Sequence, residues 1–180
     1  MATSEPKLLD VLVGVYDNVD DAKSDYTALR DLYQKLGASD EFDAAVVTKS
    51  PEGKVKIDKT YEAGTLHDAL KGLGFGLAAG LIAALFPSVG IAVALLAGGV
   101  GGTAIGAIVG HIQTGMRRAD LKAIGDALDD AEYGLVIVYE ANLADQVKKN
   151  IKAVRQVASK LADITADEIE KQIRQSRAAA

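Results

Sequence analysis

Residues 72–116 read GLGFGLAAGLIAALFPSVGIAVALLAGGVGGTAIGAIVGHIQTGM, a run without a single Asp, Glu, Lys or Arg. An uncharged stretch of that length cannot be solvated as a loop, so it must be buried in lipid or in protein. Its glycines are ordered. Gly72, Gly76 and Gly80 recur every four residues before Phe86, Pro87 and Ser88, and Gly98, Gly102, Gly106 and Gly110 keep the same interval after them. Four-residue spacing sets each series along one helix face, where the missing side chains admit another backbone. Each glycine costs a helix about 1 kcal/mol relative to alanine, so two regular series imply close packing that offsets the cost. The pattern predicts a helical hairpin over residues 65–116 with Phe86, Pro87 and Ser88 at its tip. At about 1.5 Å per residue, the charge-free part of its first arm extends roughly 22 Å, against a hydrocarbon core of about 30 Å. A hairpin dipping into lipid, or one buried in protein, fits that length better than two spans.

The flanks read as an ordinary α+β domain. Residues 7–16 form a nearly continuous apolar run (Leu8, Leu9, Val11, Leu12, Val13, Val15), as in a strand covered on both faces. Ala22, Tyr26, Leu29, Tyr33 and Leu36 then trace one stripe of an amphipathic helix that Gly37 can end. Residues 42–49 and 54–61 read as strands around the turn Ser50-Pro51-Glu52-Gly53, with Val55, Ile57 and Tyr61 on the dry face of the second. Leu121, Ile124 and Leu128 mark another helix, and residues 133–140 another strand. With the hairpin set aside the order is β-α-β-β-α-β, which predicts a ferredoxin-like sandwich. The expected division is residues 1–64 and 117–141 for its halves, 65–116 for the inserted hairpin and 142–180 for C-terminal helices. There Leu143, Val147, Ile151, Val154, Ala158 and Leu161 keep a helical stripe, and Thr165 with Glu168 suggests a capping box.

Composition narrows the partners. A net charge of −5 argues against general nucleic-acid binding, which needs a basic surface. No Cys is present, so disulfides, thiolate metal sites and cysteine nucleophiles drop out together. Residues 1–6 have no basic segment followed by an apolar one, which predicts no cleaved signal peptide.

The segments DVLVGVYD, DAAVVTK with its EGKVKI return, GLGFGLAAGLIAALFP, GGVGGTAIGAIVG and YGLVIVYE together resemble a widespread bacterial family of unknown function, described as predicted membrane proteins. The resemblance covers residues 8–140. It implies a ferredoxin-like fold with an inserted hydrophobic hairpin, and it carries over no catalytic residues.

Other candidate sites weigh less. Residues 74–79, GFGLAA, fit a relaxed dinucleotide fingerprint but lie inside a helical run with no acidic residue about 20 positions on. His67 and His111 would meet near the hairpin's open base, yet two ligands make a poor metal site. Asp17, Asp20, Asp21 and Asp25 read as the capping and solvated acids of a helix start. Tyr16, Tyr133 and Tyr139 are expected on the sheet face opposite the first helix, as a subunit or C-terminal-helix contact in preference to a small ligand pocket. Lys71, Arg117, Arg118 and Lys122 could meet lipid headgroups at the hairpin base, offset by Asp68, Asp120 and Asp126. Lys148, Lys149, Lys152, Arg155 and Lys160 form a basic face. No nucleophile–base or metal constellation is visible, so the expectation is a non-enzymatic protein with no cofactor and no metal. It would be a cytoplasmic scaffold at the inner face of the cell membrane, with lipid and its own copies as partners through the glycine zipper. The other reading is a soluble homo-oligomer with the hairpins between subunits, able to enclose an apolar ligand.

Overall fold

The apolar run at the start of the chain becomes strand β1 (Leu8–Tyr16), with both of its faces covered. Asn18 then caps helix α1 (Val19–Lys35): its Oδ1 accepts from the Asp21 backbone N–H at 2.8 Å, and Asp20 and Asp21 sit in the positive first turn. Gly37, at φ +67, ends the helix in the left-handed conformation. The computed structural model describes residues 8–37, 42–58, 81–82, 84–86, 110 and 113–165. Strands β2 (Phe42–Lys49) and β3 (Val55–Ile57) make a hairpin, with Gly53 at φ +78 supplying its turn. Strand β3 is described over Val55–Ile57, the Asp58 N–H still donates to the Val46 carbonyl at 2.8 Å, and the rest of the expected strand, residues 59–61, lies outside the described residues. Helix α2 (Arg118–Asp129) and strand β4 (Tyr133–Glu140) follow.

The mixed α+β class holds, but the elements take places other than those expected of them. The sheet is antiparallel throughout its pairings, in the order β3-β2-β4-β1, extended by a further strand beside β1. Strand β4 therefore lies between β1 and β2, the place that the third strand takes in a ferredoxin-like sandwich. The helices also separate. Ala22, Tyr26, Leu29 and Tyr33 of α1 pack with Leu12, Ala44, Val46, Leu135, Ile137 and Tyr139. On the opposite face, Ile124, Ala127 and Leu128 of α2 pack with Leu9, Val11, Val13, Ala45, Val47, Val136 and Val138. Strict alternation along β1, β2 and β4 sorts these residues between two faces. A two-faced apolar strand needs cover on each side, and α1 lies on one face and α2 on the other.

The C-terminal region corrects the expectation of a long helix. A 3₁₀ turn (Ala141–Leu143) leads into a short helix α3 (Ala144–Lys149), after which the chain becomes strand β5 (Arg155–Thr165). The helical stripe holds only for Leu143, Val147 and Ile151, which join the α1-face core. Val154, the next member, is 67% exposed. From there β5 runs antiparallel to β1, from Val15↔Arg155 to Leu9↔Leu161, with a register shift before Leu8↔Thr165. The free backbone groups along that edge of β1 need partners, and meeting them overrides the helical propensity of an Ala- and Lys-bearing segment.

Candidate functional site

The charge-free segment meets the sheet on the α2 face. Leu81 and Ile82 are helical and fully buried there, while Ala84, Leu85 and Phe86 are half-buried against the same cluster. The Phe86 N–H donates to the Ile82 carbonyl at 2.8 Å, closing that turn. On α2, Gly125 lies beside Leu85, whose Cδ2 is 3.5 Å from where a Cβ would stand. Met116, the last residue of the segment, is buried in this cluster too. The site has one physical character: every buried side chain in it is aliphatic or thioether, so its contacts are non-directional.

Of the predicted zipper glycines, Gly110 falls within the described residues. It is helical and exposed, and an added Cβ would meet nothing within 4 Å. Thr114 Oγ1 donates back to its carbonyl at 3.0 Å. Gly72, Gly76, Gly80, Gly98, Gly102 and Gly106, with Pro87 and Ser88, lie outside the described residues, as do the GFGLAA motif, His67 and His111. Near Met116, Arg117 Nε pairs with Asp120 Oδ2 at 2.9 Å and Lys122 Nζ with Asp126 Oδ2. Each pairing, through its hydrogen bond first and its charge second, holds the cation's pKa above its ordinary value. Two of the cations expected to face headgroups are thus already neutralised along their own helix. Among the described residues no helix is long and apolar enough to cross a membrane, and no group of three or more His, Cys, Asp or Glu could hold a metal ion.

The opposite face holds a polar centre that the sequence reading placed differently. Tyr16, Tyr133 and Tyr139 lie on the α1 face, not opposite it. Asp25 is 2% exposed rather than a solvated acid. Its Oδ2 accepts from the Tyr16 hydroxyl at 2.8 Å and from the Lys152 backbone N–H at 2.6 Å. Burial, and after it the bond to Asp25, push the Tyr16 phenol far above its ordinary pKa. Burial and the nearby Asp10 push Tyr139 up to about 12. A carboxylate beside a phenol suggests acid–base chemistry, but both groups are enclosed and aimed at each other and at backbone. They tie α1, β1 and the α3–β5 connection together. The signal for Asp25 was present in the helix period: it stands three residues after Ala22 and four before Leu29, on the buried stripe. Nearby, Gly14 is required by close approach, since a Cβ there would stand 3.0 Å from both the Ala153 Cβ and the Tyr16 ring.

The chain matches no protein-family profile, no curated protein and no solved structure.

Proposed function

We propose that this chain is a non-enzymatic scaffold that associates with membrane lipid, and with its own copies, through the glycine-patterned segment of residues 72–116. The observation that carries the reading is the continuity of apolar surface. A long charge-free segment is fastened to the sheet by Leu81, Ile82 and Met116, and its last zipper glycine, Gly110, has open space beside it. An open glycine at the end of a four-residue series leaves room for another helix backbone. The resemblance to bacterial glycine-rich proteins points the same way, and with it the cytoplasmic face of the cell membrane.

A soluble homo-oligomer with these segments between subunits is the second reading, favoured by Leu81 and Ile82 being buried by protein. One comparison tests the shared premise. Gly102→Leu, Gly106→Leu and Ala104→Leu all raise apolarity, but Ala104 lies about 200° around a helix from either glycine. The two glycine variants lose assembly or vesicle flotation by roughly tenfold or more, at a cost of about 1–3 kcal/mol for overpacking, and Ala104→Leu does not. Equal behaviour of all three variants contradicts the zipper. Flotation with vesicles supports the lipid reading, whereas a discrete oligomer that ignores vesicles supports the soluble one.

A further inference from the structure

A second contact surface lies away from the aliphatic face. From residue 146 to 162 the sequence holds Lys148, Lys149, Lys152, Arg155 and Lys160 and no Asp or Glu, in a chain whose net charge is −5. Positive charge is segregated there against the trend of the whole molecule. The fold then fixes how it is presented. Val147 and Ile151 point into the α1-face core, which turns Lys148, Lys149 and Lys152 outward. Arg155 is exposed at the start of β5. Among them stands Val154, more exposed than any other large apolar residue described.

We propose that residues 148–155 dock on an anionic lipid surface, with the four cations meeting headgroups and Val154 the apolar interface. Exposed lysines are ordinarily a solvated face, but other features set this stretch apart. Lys23, Arg30, Lys49, Arg117 and Lys122 each have a carboxylate partner. Among the described residues Lys148, Lys149, Lys152 and Arg155 have none, and unlike Lys35, Lys54, Lys56 and Arg118, which share that lack, these four are gathered in one short stretch. The stretch is also preorganised. The Lys152 N–H is held by Asp25, and the Val154 N–H donates to the Val15 carbonyl at 2.9 Å, so little ordering entropy is spent on contact. Cations around an exposed apolar side chain match an anionic bilayer boundary, where charge and burial act together. No aromatic residue occurs between positions 140 and 180 to stack a base, which disfavours nucleic acid. The exposed acids on neighbouring elements, Asp17, Asp20 and Asp21 at the start of α1 and Asp145 on α3, temper the field without pairing these cations.

This contact is separable from the glycine segment, because it depends on lipid charge and the segment does not. The test is co-sedimentation of the full chain with neutral phosphatidylcholine vesicles and with vesicles containing phosphatidylserine. The wild type prefers the anionic vesicles, and the preference collapses in high salt. Combining Lys148→Gln, Lys149→Gln, Lys152→Gln and Arg155→Gln weakens anionic-vesicle binding by about a hundredfold and leaves neutral-vesicle binding unchanged. The same charge change elsewhere, at Lys23, Lys35, Lys54 and Lys56, has little effect. Val154→Ser, which leaves all charges in place, weakens anionic-vesicle binding several-fold. Three results overturn the proposal: no anionic preference in the wild type, equal losses for the two groups of Gln substitutions, or binding to soluble polyglutamate without binding to anionic vesicles.

Discussion

The two faces of the sheet are built from different chemistry. On the α1 side the buried residues include Tyr16, Tyr26, Tyr33 and Tyr139, and Asp25 fixes three elements with directed hydrogen bonds. On the α2 side the buried residues are Leu, Val, Ile, Ala and Met alone. Directed bonds between buried polar groups specify one arrangement, because breaking them leaves unpaired groups behind. Aliphatic contacts specify much less and accept any apolar neighbour of the right volume. The α1 side is therefore the rigid half. The α2 side is shared with the charge-free segment through Leu81, Ile82 and Met116.

The largest expected effect breaks the aliphatic side. Leu81→Ala together with Ile82→Ala removes two fully buried side chains and costs about 4 kcal/mol or more. Against a typical stability of about 5–15 kcal/mol this is a large fraction. Urea melts of the variant and the wild type measure it. A loss under about 1 kcal/mol would mean that the segment does not cover the sheet.

Next comes the polar side. Asp25→Ala strands the Tyr16 hydroxyl and the Lys152 N–H inside the core, and costs about 3 kcal/mol. Tyr16→Phe removes one donor and costs about 1–2 kcal/mol. Hydrogen exchange localises the damage, since Asp25→Ala frees the β1–β5 ladder before β2–β4. Uniform acceleration across the sheet would show that Asp25 is not a local tie.

How much of this was legible follows the same divide. Period and pattern placed β1, α1, β2 and β4, because each carries a signal that local sequence can hold. They also showed that β1 must be covered twice. What they could not hold is which partner does the covering. Strand order and the side taken by each helix are decided between segments distant in sequence, so α2 was expected beside α1. Residues 155–161 satisfy both a helical and an alternating period, and only the open edge of β1 selects the strand. Of the candidate site, the glycine spacing and absence of charge were legible. The burial of Leu81 and Ile82 against this particular sheet was not, since their neighbours in contact are remote in sequence.

Alkali sharpens the contrast by a smaller amount. The Tyr139 pKa is raised to about 12 from 10, so an unfolded chain releases this proton first. The native state then binds more protons than the unfolded state, and stability falls as pH rises from about 10 to 12. The loss from this group is about 2–3 kcal/mol, and Tyr139→Phe reduces the slope without abolishing it, because Tyr16, raised further, contributes over the same range. A slope unchanged by Tyr139→Phe would assign it to other groups. Smallest of all, Gly125→Ala is expected to stabilise α2 by up to about 1 kcal/mol, since a Cβ there makes ordinary contact with Leu85. Destabilisation would mean that the helix and the segment approach more closely than this.

The docking of the charge-free segment on the α2 face can be tested directly because the chain contains no cysteine. Leu85→Cys with Gly125→Cys places two thiols side by side across that contact. Treated at low concentration with a short bifunctional thiol reagent, the double variant should give an internally bridged single chain, with or without vesicles present. A bridge found only between chains, or none at all, would contradict the account.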